Sequence, residues 1–273
     1  MNRRDRLRVA AGAVLAGVAV AAALTASATH SWGNYHWART ANPFTIKLGD
    51  NLSSVWKPYL STTSSDWSIS GVLNTAIVAG ATRPRTCKAT TGRAEVCNST
   101  YGNTGWLGVA SIMITGGTHI TAGTVKLNDT YFNTATYNTT PWRNLVMCQE
   151  VGHIFGLGHQ DENFNNTPLG TCMDYSNDPI PNQHPNQHDY NQLEAIYAHV
   201  DSTTTVGQST NLPAAMGLSF DKPSQWGRLV KRSRNGMHET YELDFGGGNR
   251  IVTHVLWAEF EGGPAHRERA MRE

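Results

Sequence analysis

Apolar and polar residues follow strand-like and helix-like periods along most of the chain. Residues 44–48 read Phe-Thr-Ile-Lys-Leu, apolar at every second position, and end at Gly49-Asp50-Asn51. That predicts a strand and a turn. Residues 53–60 predict a short helix with Ser53 or Ser54 as its cap. Strands are expected over 72–79, 93–97, 106–114 and 124–128; the run from Trp106 to Ile114 is apolar enough to be buried on both faces. A helix is predicted over 142–155, with Thr140 as N-cap, Pro141 in its first turn and Gly156 as its stop. A second covers 189–199, where Tyr190, Leu193, Ile196 and Tyr197 share one face. Residues 240–245, a Gly246-Gly247-Gly248-Asn249 turn and residues 250–256 read as strand, turn, strand.

Before this pattern begins, Arg3, Arg4, Arg6 and Arg8 precede an apolar run from Val9 to Leu24 and a small-residue Ala26-Ser27-Ala28 site. This is the layout of a secretory signal peptide, residues 1–28. The run is about 16 residues, short of the roughly 20 that a membrane-spanning helix needs. Residues 201–209 are Ser/Thr-rich and read as a linker, and 259–273 as a charged, disordered tail. Trp32, His36 and Trp37 are read either as a docking segment or as a loose N-terminal end.

The chain has 273 residues, 16% charged and 39% hydrophobic, with a formal charge of +1. Such a balance lacks the cationic surplus that nucleic acid binding requires, so no nucleic acid partner is expected. No membrane association is expected once the signal peptide is removed, and the protein should be secreted. Export makes the four cysteines candidates for disulfides. Cys87 and Cys97 flank a Thr90-Thr91-Gly92 turn and read as a local staple, which leaves Cys148 with Cys172.

The chemistry concentrates in residues 149–159, Gln-Glu-Val-Gly-His-Ile-Phe-Gly-Leu-Gly-His. On a helix, Gln149 and His153 are four apart and share a face. Glu150 sits beside them, placed to take a proton from a water. Gly156 can turn the chain sharply and bring His159 back to the same point. Three protein donors and a water are the layout of a catalytic zinc site.

This segment resembles the HExxHxxGxxH signature of the metzincin zinc endopeptidases, matching it at Glu150, His153, Gly156 and His159. Cys172-Met173-Asp174-Tyr175 is similar to that family's downstream Met-turn. The chain also resembles exported actinobacterial proteins that carry Gln at the first motif position. The resemblance covers about residues 40–200. It implies an α+β fold over residues 29–200: a twisted, mostly parallel sheet with the active-site helix, the Met-turn and a C-terminal helix. A small β unit over 210–258 would be added to it. It also implies zinc on Gln149, His153 and His159, Glu150 as general base, Tyr175 as oxyanion donor, and Met173 as a structural floor.

Gln149 stands where the family has His. It is a ligand through its amide oxygen, or it is replaced by Asp161, Glu162, His184 or His188, or the site has lost its metal. Calcium is a secondary candidate at Asn128-Asp129 and Asp161-Glu162, where no loop motif accompanies it. The expected function is a secreted zinc endopeptidase acting on extracellular protein or peptide. The alternative is a catalytically silent binding protein on the same scaffold. An amidase acting on wall peptide is a third, weaker reading.

Overall fold

The computed structural model describes residues 30–209 and 211–259. Residues 1–28, read above as a signal peptide, and all but the first residue of the charged tail lie outside the described residues. The strands are β1 (His36–Trp37), β2 (Phe44–Asn51), β3 (Leu73–Ala79), β4 (Ala94–Ser99), β5 (Trp106–Thr115), β6 (His119–Asn128), β7 (Arg228–Arg232), β8 (His238–Gly246) and β9 (Asn249–Trp257). The α-helices are α1 (Lys57–Trp67), α2 (Asp129–Phe132), α3 (Thr140–Ile154) and α4 (Gln187–Ile196).

One nine-stranded sheet carries the structure, in the order β3-β2-β4-β6-β5-β9-β8-β7, with β1 added on β6. Over residues 29–200 the sheet is mostly parallel, as expected, with β5 antiparallel on β6; the C-terminal strands make the whole sheet mixed. Pairings among β1, β2, β3, β4 and β6 are parallel, but β5, β7, β8 and β9 are joined by antiparallel pairings. The fold is α+β with a mixed sheet. The C-terminal strands do not stand apart: β9 pairs along β5 from Trp106 to Ile114 and continues the sheet.

Period-2 alternation explains why the sheet can be covered on both faces. Along β5, Ala110, Ile112 and Ile114 point into a core shared with α1, α3 and α4, which supply Trp67, Val151 and Leu193. Val109 and Met113 point the other way, onto Met216, Phe220 and Trp226. The alternation continues into β9. Val252 and Leu256 join the first core, and Ile251, Val255 and Trp257 join the second.

Helix boundaries shift from expectation for local reasons. Helix α3 is capped by Thr139, not Thr140, through its side chain accepting from the Trp142 amide. Helix α4 begins at an Asn186/Asp189 capping box. Helix α1 starts at Lys57 without a side-chain cap, with Pro58 in its first turn. Residues 201–209, expected as a linker, are fastened to the core through Asp201, Thr205 and Gly207. Thr205 N–H donates to the Ala38 carbonyl, and its hydroxyl donates to Ile120 O at 2.6 Å. Trp37, from the segment left open as a loose end, is fully buried, and its indole donates to Ile154 O.

Two disulfides, Cys87–Cys97 and Cys148–Cys172, hold the chain; among the described residues no cysteine is free. They fit an exported protein. Among the described residues no helix is long and apolar enough to cross a membrane.

Candidate metal centre

Helix α3 is buried on almost every side, so its polar residues sit in a dry interior. Gln149, Glu150 and His153 are all fully buried. The chain leaves the helix at Gly156, whose φ is +90°. A Cβ there would lie 2.4 Å from the Tyr35 carbonyl oxygen, so only glycine makes this turn. The turn returns His159 to His153, with ring centroids 4.6 Å apart.

The third imidazole comes from the far end of the chain. His254 on β9 lies 4.1 Å from the His153 ring and 4.8 Å from the His159 ring. One ligand atom from each of His153, His159 and His254 lies within 4.8 Å of the others. His254 occupies this place because it has the parity of Val252 and Leu256, and so faces α3. On the facing strand, Gly108 leaves room: a Cβ there would come within 2.7 Å of Glu150 Oε1.

Each ring is oriented by a second contact. His153 Nδ1 lies 2.8 Å from the Leu157 carbonyl and donates to it, which turns Nε2 into a bare acceptor. His254 Nδ1 lies 3.1 Å from Glu150 Oε2, and its Nε2 lies 3.1 Å from His238 Nδ1. Trp32 stacks on His153 at 4.8 Å and 4°. Tyr175 stacks on His238 at 4.0 Å and also packs on His159.

Burial sets the charge states. It pulls His153 and His254 down to about 3, aided at His153 by His254. His159 and His238 are lowered well below the usual imidazole value by burial and by their neighbouring histidines. All four are neutral, the form that ligates a metal. Burial raises Glu150 to about 8, against the pull of His153. The Glu150–His254 contact is therefore a hydrogen bond between uncharged partners. A dication in the pocket would favour the carboxylate.

Four buried polar atoms are left without a protein partner here: His153 Nε2, His159 Nε2, Glu150 Oε1 and Gln149 Oε1. Leaving such atoms unpaired costs on the order of 1–3 kcal/mol each. A borderline-soft cation taking imidazole and oxygen donors fits this set. Zinc therefore suits the residues present.

Gln149 is held at its other end, its amide N–H₂ donating to the Cys172 carbonyl at 2.8 Å. The Cys148–Cys172 disulfide ties the same turn to α3. Met173 is fully buried in the core shared with the helix, and its carbonyl accepts from Gln160 N–H.

The other residues considered as a replacement ligand lie outside the triad. His184 pairs with Asp66 at 2.7 Å near the surface, and His188 stacks on His30. Asp161 accepts from the amides of Glu162 and Asn163, and Glu162 pairs with Lys231. Calcium finds no set of free oxygens at either candidate place. The Asp129 carboxylate accepts from Trp56 and Asn98, and Asn128 Oδ1 accepts from two amides.

His238 and His254 were missed in the sequence. Their one signal is an imidazole inside an otherwise apolar or β-forming run, Ile251-Val252-Thr253-His254-Val255-Leu256. On its own, that reads as a core histidine.

No family model matches the chain, and no curated protein matches it. Among solved structures it is similar to high choriolytic enzyme 1, a hatching enzyme zinc-protease from Oryzias latipes (Medaka fish). The identity is 13%, the TM-score 0.34, and the match covers 60% of this chain and 94% of that one.

Proposed function

We propose that this protein is an exported zinc-dependent hydrolase of peptide bonds, held closed by its own C-terminal strands. The observation that carries the reading is the convergence of three buried imidazoles, His153, His159 and His254, with Nε2 of His153 and of His159 left unpartnered. His153, His159 and His254 would hold the zinc, with the Gln149 oxygen as a further donor. When bound, zinc would polarise a carbonyl and bring the acidity of a water towards neutrality.

The chain's own residues supply the rest. Glu150, aimed into the same pocket, takes up and returns a proton. His254 orients its carboxylate. Tyr175, packed against His159, lines the pocket wall from which a hydroxyl could donate to a developing oxyanion. Strand β5 offers an extended edge of the kind that peptides bind by strand addition, but β9 occupies it. Glu150, His153 and His254 are fully buried, so substrate entry requires β8 and β9 to leave β5; His254 leaves with β9, and His153, His159 and the Gln149 oxygen would then be the protein donors of the open form.

Complete burial favours one second reading: a silent zinc site that pins the C-terminal strands to the helix. Hydrolysis of casein or a peptide library by the zinc-loaded full chain separates the two. The peptidase reading expects chelator-sensitive cleavage, abolished by Glu150→Gln with zinc retained, and increased by Thr253→Pro, which weakens β9 pairing. Bound zinc with no chelator-sensitive cleavage in either the parent or Thr253→Pro would leave the silent site as the function.

A further inference from the structure

A second group of donors converges where β1, the start of β6 and the segment after α4 meet. It shares no residue with the triad. His36 Nε2 lies 3.2 Å from His199 Nε2 and 3.4 Å from Asp201 Oδ1. His119 Nε2 lies 3.4 Å from the same Asp201 oxygen, and His199 Nε2 lies 3.7 Å from it. Zinc bonds of about 2.0–2.1 Å place the donors of a tetrahedron about 3.3–3.4 Å apart. Four of the six donor-to-donor edges of one tetrahedral ion are therefore close to their ideal length, and one ligand atom from each of His36, His119 and Asp201 lies within 4.8 Å of the others.

The surrounding contacts point the lone pairs inward. His36 gives its Nδ1 proton to the Asn34 carbonyl at 2.7 Å, which leaves Nε2 as an acceptor. It faces Asp201 Oδ1, which can only accept. Two acceptors at 3.4 Å need a cation between them, either an added proton on the ring or a metal ion. The other Asp201 oxygen is held by the Arg39 guanidinium at 2.9 Å and the Arg39 amide at 3.1 Å. That division leaves Oδ1 for the cluster and fixes the carboxylate's orientation. His36 is buried, His119 is partly open to solvent and His199 is exposed, so an ion can enter without unfolding.

We propose that His36, His119, His199 and Asp201 form a second, structural zinc site. Three imidazoles and one carboxylate suit zinc; calcium and magnesium require more oxygen donors. The ion closes the coordination sphere with protein atoms alone, the mark of a structural rather than a catalytic centre. It clamps the N-terminal segment and the strap at 199–206 to the start of β6, alongside the Thr205 hydrogen bonds.

The test is metal content of the full chain, with cobalt as an optical probe of tetrahedral geometry. The parent should bind two equivalents of zinc. His119→Ala and His199→Ala, both at partly exposed positions, should each lose one equivalent, lose one tetrahedral cobalt spectrum, and weaken zinc binding at this site at least about tenfold. His153→Ala should remove the other equivalent and leave this one. The proposal is overturned if both surface variants keep the parent's zinc content and cobalt spectrum. It is equally overturned if the parent's only zinc disappears with His153→Ala.

Discussion

Nδ1 of His254 lies 3.1 Å from Oε2 of Glu150, at a sequence separation of 104 and with both side chains fully buried. The contact joins the last strand of the sheet to the helix that carries the metal-site motif. Replacing His254 with Ala should remove a metal donor and strand the Glu150 carboxyl. Zinc affinity, read by competition with a chromophoric chelator, should fall at least about tenfold. Stability should fall by about 1–3 kcal/mol. A lower melting temperature with unchanged zinc affinity would mean that His254 is packing alone.

The Cys148–Cys172 bond closes a separation of 24 residues and holds the Met173 turn against α3. A loop of that size is worth about 3 kcal/mol in the chain-entropy account. The Cys148→Ala, Cys172→Ala double variant should unfold at correspondingly lower denaturant. It should also bind zinc less tightly, because the Cys172 carbonyl that holds Gln149 loses its anchor. Denaturant titration with parallel zinc titration checks both. Unchanged zinc binding at lowered stability would separate the turn from the site.

Gly156→Ala should disturb the site more than its size suggests. The position has φ +90°, and the Tyr35 carbonyl stands 2.4 Å from where the Cβ would be. Strain of this kind costs about 1–3 kcal/mol, and the backbone shift that relieves it moves His159. Melting temperature and zinc content should fall together; retention of both would show that the turn can be made another way.

Lys126 on β6 is buried, donates to the Ser219 carbonyl, and is pulled down to about 8 by burial, against Asp221. Its unfolded value is 10.5. Below pH 8 both states carry the proton and the burial penalty is present in full. Between pH 8 and 10.5 the unfolded state holds more protons, so this group's contribution raises stability as pH rises. Lys126→Met should therefore stabilise most near pH 7, by up to about 3 kcal/mol, and the gain should shrink by pH 10. Urea unfolding of both proteins at pH 7 and pH 10 measures it. A difference independent of pH would place the ammonium in a more solvated setting.

The motif on α3 was legible because its geometry is local. Four-residue spacing puts Gln149 and His153 on one helix face whatever surrounds them, and Gly156 turns the chain within one residue. Strand and helix positions followed from apolar periodicity for the same reason, apart from caps such as Thr139, where competing hydroxyls at 139 and 140 differ by one position. His119, His199 and Asp201 gave no signal, because each sits in a different local setting and they share only a meeting point.

What the sequence determined by itself was therefore short-range: strand alternation, the 149–159 motif, the turn at Gly156 and the disulfide candidates. Tertiary structure decided which distant groups complete it. Antiparallel pairing sets His254 opposite Ala110 in register, and a one-residue slip of β9 would turn it to the other face of the sheet. Register is fixed by burying Val252 and Leu256 on one side and Ile251 and Val255 on the other. That selection is a property of the whole packed sheet, because hydrophobic burial is non-directional and rewards a pairing only once both faces are covered.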